Sequence, residues 1–403
     1  MRGFSLFIAS LLIFIWPTLG WKGSKLGTTE YNKEMMVIGQ AVEDYAKAQL
    51  EQETRPRRGV LCATFLRASM ESSVKVTLKN VGLTTSFCKW ALVIYRGSDE
   101  DVTNVCSDAA LRRGADIKDQ IIHCQRTEHA VERTKNFNQK AVPKTILYRD
   151  LLPYLPDFER VFLLDEDISL YGVDMDKYMA IWDCAFLGQG HKPLITQPLI
   201  AESTQFFEFV NADHWRGKRY IASGVGLIEQ QVPFFDAIFF EWFVRRVLVY
   251  TMEKALALGA DCGHDRSWCN AARMYGRHVL GWSNTSSSSK ARETPCALIT
   301  GVSVHHLNLR SMENKRANRN KFRDLGHQGV QRYIDNFPTW CLTEIKHGPD
   351  PLGNKGYRHV KVKSLPEEAR EAPNCAGILA NMSRSSNSGG GRRRSSRKSR
   401  GSD

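Results

Sequence analysis

The stretch Arg160-Val-Phe-Leu-Leu-Asp-Glu-Asp-Ile-Ser169 decides the fold prediction, because an apolar run stops abruptly at an acidic triplet. A short apolar run of this kind is typical of a buried parallel strand, whose end would deliver the carboxylates to the carboxyl edge of a sheet. Open α/β sheets bind their ligands at that edge. Asp165 and Asp167 would there suit a divalent cation that carries phosphates, whereas the simpler alternative is a solvated turn. On an extended chain Glu166 points away from both, so we expect its loss to harm metal binding least.

The sequence around this stretch predicts further strands separated by longer polar or amphipathic segments, which indicates βαβ units around a mostly parallel sheet flanked by helices. A helix is predicted to open at Pro143-Lys144 and to lead into the strand before the acidic triplet. Phe234 to Tyr250 is apolar on nearly every side and predicts a buried helix or helix pair. The predicted strands are Val60 to Leu66, Ala91 to Tyr95, Ile117 to Ile122, Val161 to Leu164, Leu194 to Ile200 and Ala297 to Val304.

The two ends of the chain differ in composition from the middle. Residues 1–20 combine a basic start with an apolar run, which predicts a secretory signal peptide or a short signal anchor; both remain open. Residues 21–58 are predicted as a stem with an N-terminal helix, and 59–345 as the main domain. Residues 346–403 are predicted as a basic, largely disordered tail, because the last twenty residues hold seven basic side chains against Asp403 and almost nothing apolar. The net charge of +13 owes much to this tail.

Ten cysteines fit several disulfides in an oxidising compartment, and the sequons at Asn284 and Asn381 fit the same compartment. Cys262 and Cys269 could close one loop as a disulfide. A zinc site from Cys262, His264 and Cys269 is the alternative, although this spacing matches no common zinc finger.

Candidate catalytic carboxylates lie in the second half of the chain. Glu241 lies in the apolar stretch, where it is either on a solvent-facing strip or in a site. Asp265 follows Cys262-Gly263-His264 just before a predicted helix near Arg266, and it is either the helix N-cap or an acid that faces the substrate.

A candidate metal ligand and a basic segment follow. The apolar run Ala297 to Val304 ends at His305, a competent ligand for manganese, and Arg310 and Lys315 could neutralise a leaving diphosphate. The alternative is a core histidine followed by a solvated basic helix.

Taken in order, these motifs resemble the plant and microbial proteins labelled "lysine-ketoglutarate reductase trans-splicing related", which look like glycosyltransferases of the GT-A fold. The resemblance covers roughly residues 59–310. It is carried by Lys144, Leu164-Asp-Glu-Asp-Ile168, Tyr178, Thr196-Gln-Pro198, Val232-Pro-Phe-Phe235, Gly263-His-Asp265 and Val304-His305. The relatives commonly have Trp-Gly-x-Asp where this chain has Cys262-Gly263-His264-Asp265.

The resemblance implies a metal-dependent glycosyltransferase with a GT-A-like α/β domain. Asp165, Asp167 and His305 would then hold Mn²⁺ or Mg²⁺ at the diphosphate of a nucleotide sugar, and Asp265 would be the general base. The same resemblance implies binding of the donor by Lys144, Arg310 and Lys315, and a glycan, protein or lipid acceptor. Glu241 is a further candidate catalytic residue, which its place in the apolar stretch suggests and the resemblance does not. The expected location is the lumen of the Golgi or endoplasmic reticulum, or outside the cell, with membrane contact only through an N-terminal anchor.

Three other function classes remain open. A catalytically silent relative would keep the fold and bind a glycan or partner. A metal-dependent phosphotransferase or hydrolase would also use clustered carboxylates. A nucleic-acid-binding protein is suggested by the basic tail, but no nucleic-acid-binding motif supports it and we expect no nucleic acid partner.

Overall fold

The structure is a computed structural model, and it describes a large part of the predicted main domain. Residues 1–56, which hold the predicted signal and all but the last two residues of the predicted stem, lie outside the described part, and so do Asn284 and Asn381. The described residues are 57–107, 117–127, 144–186, 191–201, 208–218, 220–248, 264–282, 294–307, 359–360 and 375.

Ten strands form one sheet, and helices lie between them along the chain. The strands are β1 Val60–Arg67, β2 Cys88–Arg96, β3 Ile121–Arg126, β4 Arg160–Asp165, β5 Ile168–Ser169, β6 Ile195–Ala201, β7 Ala222–Gly224, β8 Phe234–Asp236, β9 Cys296–His306 and β10 His359–Val360. The helices are α1 Glu71–Leu83, α2 Asp99–Cys106, α3 Lys144–Leu147, α4 Met175–Ala185, α5 Ala212–Trp215, α6 Ala237–Trp242 and α7 His264–His278. Among these helices, none combines the length and apolar character needed to cross a membrane.

The first half of the sheet is parallel and has the order β3-β2-β1-β4. From β1 the chain moves outward to β2 and β3, and it then returns to the other side of β1 as β4. The order of strands therefore reverses between β1 and β4. In open α/β sheets the crevice at such a reversal, outside the carboxyl ends of the strands, is where ligands bind.

The complete sheet is mixed, so the prediction of a mostly parallel sheet was wrong. Five of the nine strand pairs among the described residues are antiparallel. Two of these pairs involve β8, which lies antiparallel between β4 and β6. We predicted its residues, Phe234–Asp236, as the start of a helix, and the helix α6 begins only after them, at Ala237. Three residues are too few to carry a readable period, so strand pairing alone distinguishes a strand from a helix here.

The other predicted elements lie close to their expected positions, with shifts at the ends. The strand predicted from Ile117 begins at Ile121, because Lys118–Gln120 forms a 3₁₀ turn. The helix predicted at Lys144 is short: α3 continues as the 3₁₀ turn Tyr148–Leu151 before Pro153. Proline in a helix interior removes a hydrogen bond and clashes with the preceding turn, which explains the early end.

Both faces of the sheet are buried by apolar side chains. On β4, Val161 and Leu163 face one core cluster, and Phe162 and Leu164 face the other. This alternation is the period of a strand, but because both faces are apolar the sequence reads as a continuous run. Phe234 of β8 lies at the centre of the second cluster, stacked at 4.6 Å between ring centroids on Phe162.

Four disulfides link the described cysteines: Cys62–Cys88, Cys106–Cys124, Cys184–Cys375 and Cys269–Cys296. The pairing of Cys269 with Cys296 overturns the Cys262–Cys269 disulfide considered above, and it removes Cys269 from the zinc alternative. Within the segment predicted as a tail, Cys375 is attached to α4 through Cys184 and β10 pairs with β7. Cys262 and Cys341 lie outside the described residues.

Candidate functional site

The acidic turn lies at the reversal point of the parallel strands. Asp165 is the last residue of β4 and is the cross-strand partner of Phe65 near the end of β1. The chain then turns through Glu166 and Asp167 and pairs through β5 with the end of β9. Three strand ends, those of β1, β4 and β9, therefore surround the turn, and the site lies where an α/β sheet offers a ligand crevice.

Asp165 is held by the chain on two sides. Its backbone N–H donates to the carbonyl of Gln231 at 2.8 Å, and its carboxylate forms an ion pair with the ammonium group of Lys144. Lys144 also lies 3.4 Å from the carbonyl of Gln230. Burial raises the pKa of Asp165, and the neighbouring Lys144 opposes this rise. The segment before β8 and the start of α3 thus form one wall of the site.

Glu166 ties the turn to the ends of two strands. Its carboxylate accepts the backbone N–H of Arg67 at 2.7 Å, and it accepts the hydroxyl of Tyr95 at 3.2 Å. The side chain is buried, with 5% of the residue exposed. The prediction that loss of Glu166 harms metal binding least stays a prediction, and these contacts give Glu166 a structural role beside it. Its carboxylate contacts the ends of β1 and β2 and is shielded from solvent.

Burial raises the pKa of Glu166 to about 7, and the hydrogen bond from the Arg67 backbone only partly opposes this. The folded protein therefore binds a proton on Glu166 at pH values where the unfolded chain has lost it. The stability that Glu166 contributes is fully present below its pKa in the unfolded chain. It is lost as the pH rises through its pKa in the folded protein.

In the wild type, Glu166 is expected to account for a loss of about 2–3 kcal/mol in the free energy of unfolding between about pH 4.5 and pH 7. We predict that Glu166→Gln removes this part of the pH dependence. A carboxamide can accept the Arg67 N–H and donate to Tyr95, so the fold is retained. Burial also raises the pKa of Asp165 and Asp236, so some slope remains. Urea unfolding at several pH values with a chelator present measures the effect.

The matched control is Glu159→Gln, which removes an exposed carboxylate just before β4. This variant is expected to follow the wild-type pH profile. A Glu166→Gln profile that is as steep as the wild-type profile would show that Glu166 does not titrate in this window.

Asp167 meets a histidine of β9, but that histidine is His306. Its Nε2 lies 3.2 Å from the Asp167 carboxylate, and both side chains are about nine-tenths buried. His305, which we predicted as a ligand, lies opposite Ser169 of β5 and Ala201 of β6 in the register of the strands. Neighbouring residues of a strand point to opposite faces, so His305 and His306 are directed to different sides of β9.

Asn80 of α1 fixes the strand that follows the acidic turn. Its side-chain amide donates to the carbonyl of Ile168 at 2.7 Å and accepts the N–H of Leu170 at 2.9 Å. Asn80 is buried, so both bonds are shielded from water. Together with Glu166, this residue gives the acidic turn a defined position relative to α1, β1 and β2.

The residue types at the turn fit a divalent cation, since carboxylate oxygens and an imidazole nitrogen are suitable ligands for Mn²⁺. Within the described ranges, however, no group of three or more His, Cys, Asp or Glu side chains is arranged to hold a metal ion. Asp165 is instead paired with Lys144, and Asp167 with His306. The donor chemistry is present, and each carboxylate already has a partner from the chain.

Glu241 lies at the other edge of the sheet. It follows β8, whose last residue Asp236 lies opposite Arg160, the first residue of β4, in the register of these two strands. The Glu241 carboxylate is buried and forms ion pairs with Arg57 at 3.3 Å and Arg245 at 3.0 Å. These contacts favour a structural role, and the catalytic role predicted for Glu241 stays a prediction.

The remaining predicted site residues are described only in part. Asp265 is the second residue of α7, so it lies inside the helix and not at the N-cap position before it. Its side chain, together with Arg310 and Lys315, lies outside the described part of the structure. The roles predicted for these three residues stay predictions.

Three features of this site were missed in the sequence. Alternation along the strand could have indicated His306, because residues 302, 304 and 306 share one face of β9 and Val302 and Val304 are buried there. Asn80 gave no such signal: a polar residue on a helix predicts a solvent-facing strip. The carbonyls of Gln230 and Gln231 carry no side-chain signature at all, because backbone atoms are the groups in contact.

Solved structures that are similar to this chain include two of one galactosyltransferase. The galactosyltransferase LgtC in complex with donor and acceptor sugar analogs matches at 15% sequence identity and a TM-score of 0.30, over 67% of this chain and 95% of that chain. An active-site mutant of LgtC matches at 14% identity and a TM-score of 0.32, over the same shares. No protein-family profile and no curated protein matches the sequence.

Proposed function

We propose that the chain is a nucleotide-sugar-dependent glycosyltransferase with a GT-A-like domain, which transfers a sugar to a hydroxyl acceptor. The observation that carries the proposal is the position of Asp165 and Asp167. They lie at the carboxyl ends of parallel strands, at the point where the strand order reverses. A buried acidic turn in that crevice suits the cation and diphosphate of a nucleotide sugar.

In this proposal Asp165 and Asp167 hold the cation, with His306 favoured over His305 as the imidazole ligand because of its contact with Asp167. The cation, when bound, acts as a Lewis acid on the leaving diphosphate. Lys144 binds an anionic oxygen of the donor, together with Arg310 and Lys315. Asp265 is the proposed general base that removes the acceptor proton.

The proposed location is the secretory pathway, in the lumen of the Golgi or endoplasmic reticulum, or outside the cell. The four disulfides are consistent with a lumenal or secreted protein, since disulfides persist in oxidising compartments. The proposed partners are a nucleotide sugar and a glycan, protein or lipid acceptor.

A screen of nucleotide sugars by thermal unfolding, with and without Mn²⁺, tests the proposal. We expect one donor class to raise the melting temperature only when Mn²⁺ is present. A ligand at 100 times its dissociation constant stabilises the folded state by about 2.7 kcal/mol, which corresponds to a shift of a few degrees. Release of free nucleotide from the same donor would then show turnover.

The screen also separates the proposal from its main alternative, a catalytically silent GT-A-like protein that binds a glycan or partner. That alternative is favoured by one observation, namely that Lys144 already neutralises Asp165. Stabilisation by no nucleotide sugar under either condition would contradict the enzymatic proposal. Cleavage of a simple phosphoester without a sugar donor would instead indicate a phosphotransferase or hydrolase.

A further inference from the structure

Lys144 places a positive charge on Asp165, the carboxylate that would also bind the metal ion of the proposed function. The ammonium group is paired with the Asp165 carboxylate, and both side chains are largely shielded, with 27% and 22% of their surfaces exposed. Lys144 is also placed by the Gln230 carbonyl, 3.4 Å from its nitrogen. The ion pair is therefore part of the wall of the site and not a contact between two mobile surface groups.

Asp167 lies beside His306, which the proposed function makes a metal ligand, so the group that opposes a metal here is the ammonium group of Lys144 on Asp165. A divalent ion that binds both acids must therefore share Asp165 with Lys144 or displace its ammonium group. Like charges a few ångströms apart repel strongly in a half-buried environment. The repulsion lowers the affinity for the metal while Lys144 is in place.

We infer that Lys144 is a built-in counter-cation that competes with a divalent metal for Asp165 and so sets the metal affinity of the site. The inference rests on the metal site of the proposed function. It goes beyond that proposal because it gives Lys144 a second role: the residue keeps the acidic turn charge-balanced before a metal binds. Its removal should make the site bind metal more tightly, whereas removal of an ordinary donor-binding lysine should not.

Titration calorimetry with Mn²⁺ alone, on the full-length chain without nucleotide, tests this inference. Lys144→Met and Lys144→Gln are expected to bind Mn²⁺ at least about tenfold more tightly than the wild type. Both remove the repulsion between the ammonium group and the metal ion, and even a partly screened unit charge at this range changes the affinity by about that factor. Lys144→Arg keeps the positive charge and is expected to bind with wild-type affinity. Urea unfolding of each variant shows that it is folded.

Lys89→Met is the matched control. Lys89 is partly exposed near the start of β2, at the opposite edge of the sheet, where its ammonium group donates to the carbonyl of Asp119. Lys89→Met removes the same charge from the protein without changing a residue at the acidic turn, so this variant is expected to bind Mn²⁺ with wild-type affinity. Equal tightening in Lys89→Met would mean that net charge alone is responsible and would overturn the inference.

The outcomes also separate this inference from the proposed function. If the wild type binds Mn²⁺ through Asp167, and Lys144→Met binds it equally or more weakly, the competition is refuted while the metal site stands. If neither the wild type nor the variants bind Mn²⁺, the metal-dependent function and the inference both fall.

Discussion

Replacing Asp167 with Asn is expected to lower kcat/KM for nucleotide-sugar turnover by about 100-fold or more, if the proposed function is correct. A bound metal contributes several kcal/mol to stabilisation of the leaving group, and each 1.36 kcal/mol corresponds to about a factor of ten in rate. Asparagine has nearly the same shape and can still accept a hydrogen bond from His306, so the acidic turn keeps its geometry. The substitution removes only the negative charge.

The measurement is steady-state turnover of the donor found in the screen, together with Mn²⁺ binding by calorimetry. Asp119→Asn is the control, because Asp119 is an exposed carboxylate in the 3₁₀ turn before β3, far from the carboxyl edge. It is expected to retain wild-type turnover. Undiminished turnover and Mn²⁺ binding in Asp167→Asn would show that Asp167 is not a metal ligand.

Phe234→Ala is expected to lower the free energy of unfolding by about 3–5 kcal/mol, which is the usual loss for a buried phenylalanine. Phe234 is fully buried. Its ring stacks on Phe162 at 4.6 Å and on Tyr178 at 5.3 Å, and it meets Trp182 edge-on at 5.1 Å. Alanine would leave a cavity between β4 and β6, because the surrounding aromatic rings are too rigid to close it.

Urea unfolding monitored by circular dichroism measures this loss. Leu83→Ala is the control: Leu83 is 46% exposed at the end of α1, so its truncation should change stability by no more than about 0.5 kcal/mol. A Phe234→Ala loss of similarly small size would mean that β8 is not a fixed part of the core. Because Gln231, whose carbonyl accepts the Asp165 N–H, lies only three residues before β8, loosening of this strand should also disturb the acidic turn.

The difference between prediction and structure is largest where two elements meet. The apolar run before Asp165 was readable because burial on both faces leaves a continuous pattern in one segment. The antiparallel β8 was not readable, because its three residues become a strand only by pairing with Phe162 and Thr196. The contacts of Glu166 were not readable either, because they are made with Arg67 and Tyr95, 99 and 71 residues away in the sequence.

By itself, the sequence determined that the chain has an α/β domain and that a strand ends at Asp165-Glu166-Asp167. Both follow from local burial and periodicity, which each segment carries within itself. Only the tertiary structure decided that the sheet is mixed, that His306 and not His305 meets Asp167, and that Lys144 neutralises Asp165. These features are contacts between segments distant in the sequence, and their geometry is set by how the strands pair and pack, which no single segment encodes.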